Sequence, residues 1–265
     1  VQFDFFDAGE GPALLFLPGS YSSASAWKGI LGHLTGSYRT ITTSLPGYGE
    51  TPETRTGDNG DLTAALDFVA NLVERIGSPV HLVGHSYGGF TAIAASLTGK
   101  VAPLSLMTFE GNPIYSRLGD RPFDWRPDVD DMKARFTEAV MSGHPDAAEI
   151  IIDFWGSAGL FKSMPAGFQA FCRSKAATNL RDWQTAAWFT PDFSAFSQLT
   201  MPCTIARGEL ANRAIIDVSD NIVANAPNAC LYIEPGAGHF LTSSHPAECA
   251  AVIDKHMQQF TGPLS

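Results

Sequence analysis

The stretch Val80-His81-Leu82-Val83-Gly84-His85-Ser86-Tyr87-Gly88-Gly89-Phe90-Thr91-Ala92-Ile93-Ala94-Ala95 decides the reading of this chain. Its first four residues form an apolar, strand-like run, and its last six read as a helix. Between them lies Gly84-x-Ser86-x-Gly88, a pattern that in this context marks a sharp strand-to-helix turn carrying an exposed serine. Side chains at the flanks would obstruct so tight a turn, so Gly84 and Gly88 allow strand and helix to approach closely. Ser86 is then expected on a strained turn at the carboxyl end of a sheet. The amide end and positive dipole of the helix face the same point.

Outward from this turn, strand-length runs alternate with amphipathic segments. Strands are expected over Phe3–Asp7, Ala13–Leu17, Thr40–Leu45, Val80–His85, Leu104–Phe109, Thr204–Arg207 and Cys230–Glu234. Several, such as Leu14-Leu15-Phe16-Leu17, lack polar alternation, as strands covered on both faces do. Helices are expected over Ala24–Leu34, Asp61–Ile76, Phe90–Leu97, Ile215–Ala226 and Ala247–Phe260. The alternation predicts an α/β fold with a mostly parallel sheet flanked by helices.

Residues 112–192 break this rhythm. They read as helices only, over Val129–Met141, Pro145–Trp155, Ala166–Leu180 and Trp183–Phe189. The expected organisation is a core of residues 1–111 and 193–265 with a helical cap, residues 112–192, inserted between its halves. Four of the five tryptophans fall in this insertion. So small a helical layer has little room to hide them all, so some should face a ligand pocket against the core. Tyr21, Trp125, Trp155, Phe161 and Trp188 are the pocket candidates.

A serine nucleophile needs a base and donors for the oxyanion. His239, in Pro235-Gly236-Ala237-Gly238-His239, follows the last expected strand and can fold back over the strand ends. His33, His144 and His256 read as surface residues of helices, and His81 and His85 as packing residues of a strand. The oxyanion donors are expected from the amides of Tyr87, directly after the nucleophile, and Ser20, in the loop Leu17-Pro18-Gly19-Ser20-Tyr21.

Taken together, Leu17-Pro18-Gly19-Ser20, Leu45-Pro46-Gly47-Tyr48-Gly49, Gly84–Gly89 and Pro235–His239 resemble, in order and spacing, the motifs of the α/β-hydrolase fold superfamily. The chain resembles a cap-bearing serine hydrolase of that superfamily, esterase- or lactonase-like. Pro18 stands where relatives usually carry histidine, and Ser44 where they carry aspartate before Leu-Pro-Gly. The resemblance implies an acid in the loop Arg207–Arg213, yet Ala211 or Asn212 holds the usual aspartate position. Some relatives place the acid one strand earlier, which here selects Glu110. Glu209, Asp217 or no acid at all stay open beside it.

Net charge is −10 and no basic cluster exists, which argues against nucleic acid and anionic membranes as partners. No apolar run reaches membrane-spanning length. The scattered Cys172, Cys203, Cys230 and Cys249 suit a reducing cytoplasm, with Cys230 and Cys249 expected as buried thiols. No phosphate loop, dinucleotide fingerprint or metal cluster competes, so no cofactor and no metal are expected. The expected activity is hydrolysis of an ester-type bond in a small apolar or aromatic substrate. A carbon–carbon bond hydrolase or a non-catalytic small-molecule binder on the same fold is the alternative. A homodimer is left open.

Overall fold

A computed structural model describes residues 3–55 and 62–260. Seven strands form one sheet in the order β1-β3-β2-β4-β5-β6-β7. They are β1 (Phe5–Ala8), β2 (Ala13–Leu17), β3 (Arg39–Thr43), β4 (Val80–His85), β5 (Ser105–Phe109), β6 (Cys203–Gly208) and β7 (Ala229–Glu234). Only β1 runs antiparallel to its neighbour, and the sheet is otherwise parallel.

Alternate residues of the central strands enter two separate apolar layers, as the pleat requires. Leu15, Leu82, Leu106 and Ile205 pack on one face with α2 (Leu62–Ile76), α3 (Tyr87–Leu97) and α9 (Arg213–Asn225). Leu14, Phe16, Val83 and Met107 pack on the other with α1 (Lys28–Leu31) and α11 (Pro246–Gln258). Apolar side chains on both faces explain why these strands read as unbroken hydrophobic runs. Asp61, the expected start of α2, lies outside the described residues.

Between β5 and β6 stand α4 (Arg126–Met141), α5 (Ala147–Trp155), α6 (Leu160–Ser163), α7 (Ala166–Ser174) and α8 (Ala176–Ala187). The helical run divides at Lys175, not after Leu180. Lys175 leaves helical geometry (φ −108°, ψ 8°), and its Nζ donates to the Gly47 carbonyl at 2.8 Å. A further short helix, α10 (Leu241–Ser244), precedes α11. The expected helix over Ala24–Leu34 is instead a 3₁₀ turn, Ala24–Trp27, running into the four-residue α1.

Two surface expectations are corrected. Cys230 is exposed, on the edge strand β7. His256 is buried, because α11 turns it toward the sheet, where it bonds Ser105 and Thr204. Among the described residues no helix is long and apolar enough to cross a membrane.

Candidate active site

The β4–α3 turn packs backbone against backbone. A Cβ at Gly88 would lie 2.2 Å from the Leu17 carbonyl oxygen, and one at Gly84 would lie 2.5 Å from the Gly89 Cα. Glycine is therefore required at both positions by close approach. Ser86, at the apex, has φ 49° and ψ −122°, a conformation that non-glycine residues rarely hold. Its Oγ is 3.0 Å from Nε2 of His239.

His239 arrives on the loop after β7, where the Ala237 carbonyl accepts from the Leu210 amide at 2.8 Å. Its Nδ1 lies 2.8 Å from Oε2 of Glu110, a residue only 1% exposed at the end of β5. The other Glu110 oxygen accepts from the Gly208 amide at 2.8 Å. An ionised carboxylate only accepts, so the imidazole carries its proton on Nδ1 and offers the Nε2 lone pair to the Ser86 hydroxyl. Glu209 instead accepts from the Gly236 amide, and Asp217 from the Trp125 indole. Asn212 caps α9 by accepting from the Ala214 amide at 2.9 Å. None of these three is bonded to His239.

His85 holds the backbone of His239. Its Nε2 donates to the His239 carbonyl at 2.9 Å, and burial pushes its pKa down to about 4, so the ring is neutral at pH 7. Sequence reasoning treated His85 as packing alone; a histidine beside an elbow serine was the available signal.

Ser20 and Tyr87 line the same cavity. Tyr87 opens α3, so its N–H has no acceptor within the helix. Gly19 lets the Ser20 loop lie against the turn, since a Cβ there would meet His85 Nδ1 at 2.9 Å and the Ser86 Cβ at 3.1 Å. Ser44, where a family aspartate was expected, accepts from the Ala24 amide at 2.9 Å and donates to Asp4 Oδ2 at 2.5 Å. The carboxylate that orders this loop thus comes from Asp4.

The cavity measures about 560 Å³, a size suited to a small molecule. Tyr21 and Trp155 line it. Trp125, Phe161 and Trp188 do not. Trp125 stacks on Phe123 and bonds Asp217, Phe161 is fully buried beneath Arg173, and Trp188 is 61% exposed at the end of α8. Phe168, Phe171 and Trp183 stand in their place. Trp155 and Trp183 stack at 5.8 Å, and Trp155 lies 5.9 Å from the His239 ring. Among the described residues, no lysine or arginine side chain borders the cavity, and no group of acidic, histidine or cysteine residues is arranged to hold a metal ion.

Asp182, which lines the cavity, forms a buried ion pair with Arg55 at 2.5 Å that the sequence alone does not reveal. Arg55 and Asp182 are 1% and 2% exposed. Burial raises the Asp182 carboxyl above its ordinary value, against Arg55 and the hydroxyls of Ser20 and Tyr48, which favour the anion.

A serine hydroxyl, a neutral imidazole and a carboxylate in hydrogen-bonded series can generate a nucleophile and return its proton to a leaving group. Comparison with known proteins identifies the family. Residues 14–252 match the model of the alpha/beta hydrolase family. The chain is 24% identical over 255 residues to the pimeloyl-[acyl-carrier protein] methyl ester esterase of Aliivibrio salmonicida (strain LFI1238), covering 94% of each chain. It is 23% identical over 259 residues to the 2-hydroxy-6-oxononadienedioate/2-hydroxy-6-oxononatrienedioate hydrolase of Comamonas testosteroni, covering 90% of this chain and 85% of the other. A thermophilic esterase from Thermogutta terrifontis shares the fold at a TM-score of 0.76 and 19% identity, over 98% of this chain and 94% of that one. The chain therefore belongs to the alpha/beta hydrolase family and is a hydrolase built on that fold.

Proposed function

We propose that this protein is a serine hydrolase that cleaves an ester-type bond of a small, uncharged, apolar or aromatic substrate through an acyl-enzyme on Ser86. The observation that carries this reading is the unbroken series Ser86 Oγ, His239 Nε2, His239 Nδ1 and Glu110 Oε2, with contacts of 3.0 and 2.8 Å, in the wall of an aromatic-lined cavity. His239 takes the hydroxyl proton as Ser86 attacks the carbonyl carbon. The Ser20 and Tyr87 amides receive the charge that develops on the carbonyl oxygen. His239 then hands the proton to the departing alkoxide, and the ester C–O bond breaks. Water, deprotonated by the same nitrogen, attacks the acyl carbon and frees Ser86.

Residues 112–192 act in this reading as a cap whose aromatic rings clasp the substrate. The absence of lysine and arginine from the cavity lining among the described residues favours a neutral substrate, because a buried carboxylate without a cation is costly. The similarity to the Comamonas testosteroni hydrolase supports a second reading, cleavage of a carbon–carbon bond by the same serine and histidine. The lack of a cation to meet a dioate ranks it below ester cleavage.

A fluorophosphonate label followed by a panel of p-nitrophenyl esters of graded acyl length tests the proposal. An adduct on Ser86, and loss of ester turnover in Ser86→Ala, is expected. Retained turnover in that variant overturns the serine mechanism. A Ser86 adduct with negligible turnover of every ester favours the carbon–carbon reading.

A further inference from the structure

The two residues whose amides form the oxyanion site also have side chains that converge on one buried ion pair. Asp182 lies on α8, within the helical insertion. Its Oδ2 accepts from Ser20 Oγ at 2.6 Å, Tyr48 OH at 2.6 Å and Asn179 Nδ2 at 3.3 Å. Its Oδ1 accepts from Arg55 Nη1 at 2.5 Å. That same Nη1 donates to the Tyr87 hydroxyl at 3.0 Å, and the guanidinium lies 5.7 Å from the Tyr87 ring centre. The rest of the guanidinium is held by Glu53, at 2.8 and 2.7 Å, and by the Pro46 carbonyl at 3.2 Å.

Neither Ser20 nor Tyr87 needs a polar side chain to offer its backbone amide. A hydroxyl at each position, both tied to one salt bridge, is therefore an arrangement beyond what the oxyanion site alone requires. The bridge is also one of the points at which the insertion grips the core, beside the Trp125–Asp217 and Asn212–Phe154 bonds at α9. Around it, Lys175 donates to the Gly47 carbonyl at 2.8 Å and Arg181 to the Arg55 carbonyl at 3.0 Å.

We propose that Asp182 and Arg55 are positioning residues that set the spacing of the Ser20 and Tyr87 amides, so that the oxyanion site is complete only when α8 is docked on the core. This rests on the serine-hydrolase reading of the site. Asp182 fixes the Ser20 loop through its hydroxyl, and Arg55 fixes the first turn of α3 through the Tyr87 hydroxyl. Each acts at one remove from the reacting atoms. Displacement of the insertion pulls Ser20 with it, and an ångström of misplacement in such a site is costly in rate. Binding of an apolar substrate part between Trp155, Trp183 and the core stabilises the docked position, and so couples substrate size to the acceleration of the chemical step.

The test uses Ser20→Ala and Tyr87→Phe, which delete the hydroxyls and keep the amides, with Ser20→Thr as the conservative restoration. Turnover of one p-nitrophenyl ester is measured beside inhibition by an alkylboronic acid, whose tetrahedral serine adduct places an oxygen in the oxyanion site. Each deletion is expected to lower kcat about tenfold or more, with KM within about twofold and boronate affinity reduced in parallel. Ser20→Thr is expected to recover most of both. Wild-type kcat and boronate affinity in both deletions overturn the proposal, as does a change confined to KM or to the thermal midpoint. Failure of the wild-type protein to form a Ser86 fluorophosphonate adduct removes the serine reading, and the proposal with it. An adduct that forms while the deletions behave as wild type removes the proposal alone.

Discussion

Glu110 meets His239 Nδ1 with one carboxylate oxygen and the Gly208 amide with the other, both at 2.8 Å. Both neighbours are donors, so the position asks for a group with two acceptors. Glu110→Gln has only one. If its carbonyl keeps Gly208, its NH2 faces Nδ1 and drives the imidazole proton to Nε2, where it cannot accept from Ser86. The expected result is a fall in kcat of about 10³- to 10⁴-fold with the fold intact, measured on a short p-nitrophenyl ester. Near-normal turnover would remove Glu110 from the mechanism.

The sheet was legible because its central strands are apolar on both faces, and the turn because Gly84 and Gly88 are forced by close packing. The approach of Glu110 to His239 was legible from its place as the carboxylate after β5, the neighbour of the strand that leads to Ser86. The pocket lining was read less well. Asn179, Asp182, Trp183 and Ala186 form one helical stripe toward the cavity, but that stripe shows only if α8 runs unbroken from Ala176 to Ala187. Lys175, at the break, contacts Gly47, more than 100 residues away in sequence. Arg55 and Asp182 are equally remote from each other, and separate charged residues read as solvated until the chain folds them together.

The aromatic residues of the helical insertion should govern which ester is chosen. Trp183 and Trp155 stack over the cavity, and Trp155 also approaches His239. Trp183→Ala is expected to raise KM for long or aromatic acyl esters about tenfold, in line with the loss of a buried ring, while acetate ester turnover stays near wild type. Trp188→Ala, at an exposed ring, should change neither. Equal losses on acetate and long-chain esters in Trp183→Ala would make that ring structural.

Gly111 follows the Glu110 acid and packs directly on α3. A Cβ there would sit 2.4 Å from the Gly89 Cα and 2.7 Å from its carbonyl carbon, both rigid backbone. Gly111→Ala must push α3, and Ser86 with it, away from β5. A stability loss of about 1–3 kcal/mol is expected in urea unfolding, with a drop in kcat larger than that of any surface variant. Gly167, in α7, is the control. Nothing lies within 4 Å of a Cβ built there, so Gly167→Ala should be neutral or slightly stabilising. If both variants unfold at the wild-type midpoint, the close approach of β5 and α3 is not a constraint.

The opposite end of the sheet makes stability depend on pH. His81 Nδ1 and His256 Nε2 both bond the Ser105 hydroxyl at 2.7 Å, and His256 Nδ1 bonds Thr204 Oγ1 at 2.8 Å. One hydroxyl can donate to one ring and accept from the other, and the ring that accepts must be neutral to offer its lone pair. Burial pushes each histidine from an ordinary value of 6.5 down to about 4. The unfolded chain therefore binds more protons than the folded one between those values. Stability is full above pH 6.5 and is lost as pH falls toward 4, at up to about 1 kcal/mol per pH unit for each histidine. Urea midpoints measured from pH 7.5 to 5 should fall steadily. His256→Gln, less stable at pH 7.5, should show a shallower fall by about one proton's worth. Midpoints that stay flat over this range, or an unchanged slope in the variant, would show that the two rings do not titrate on unfolding.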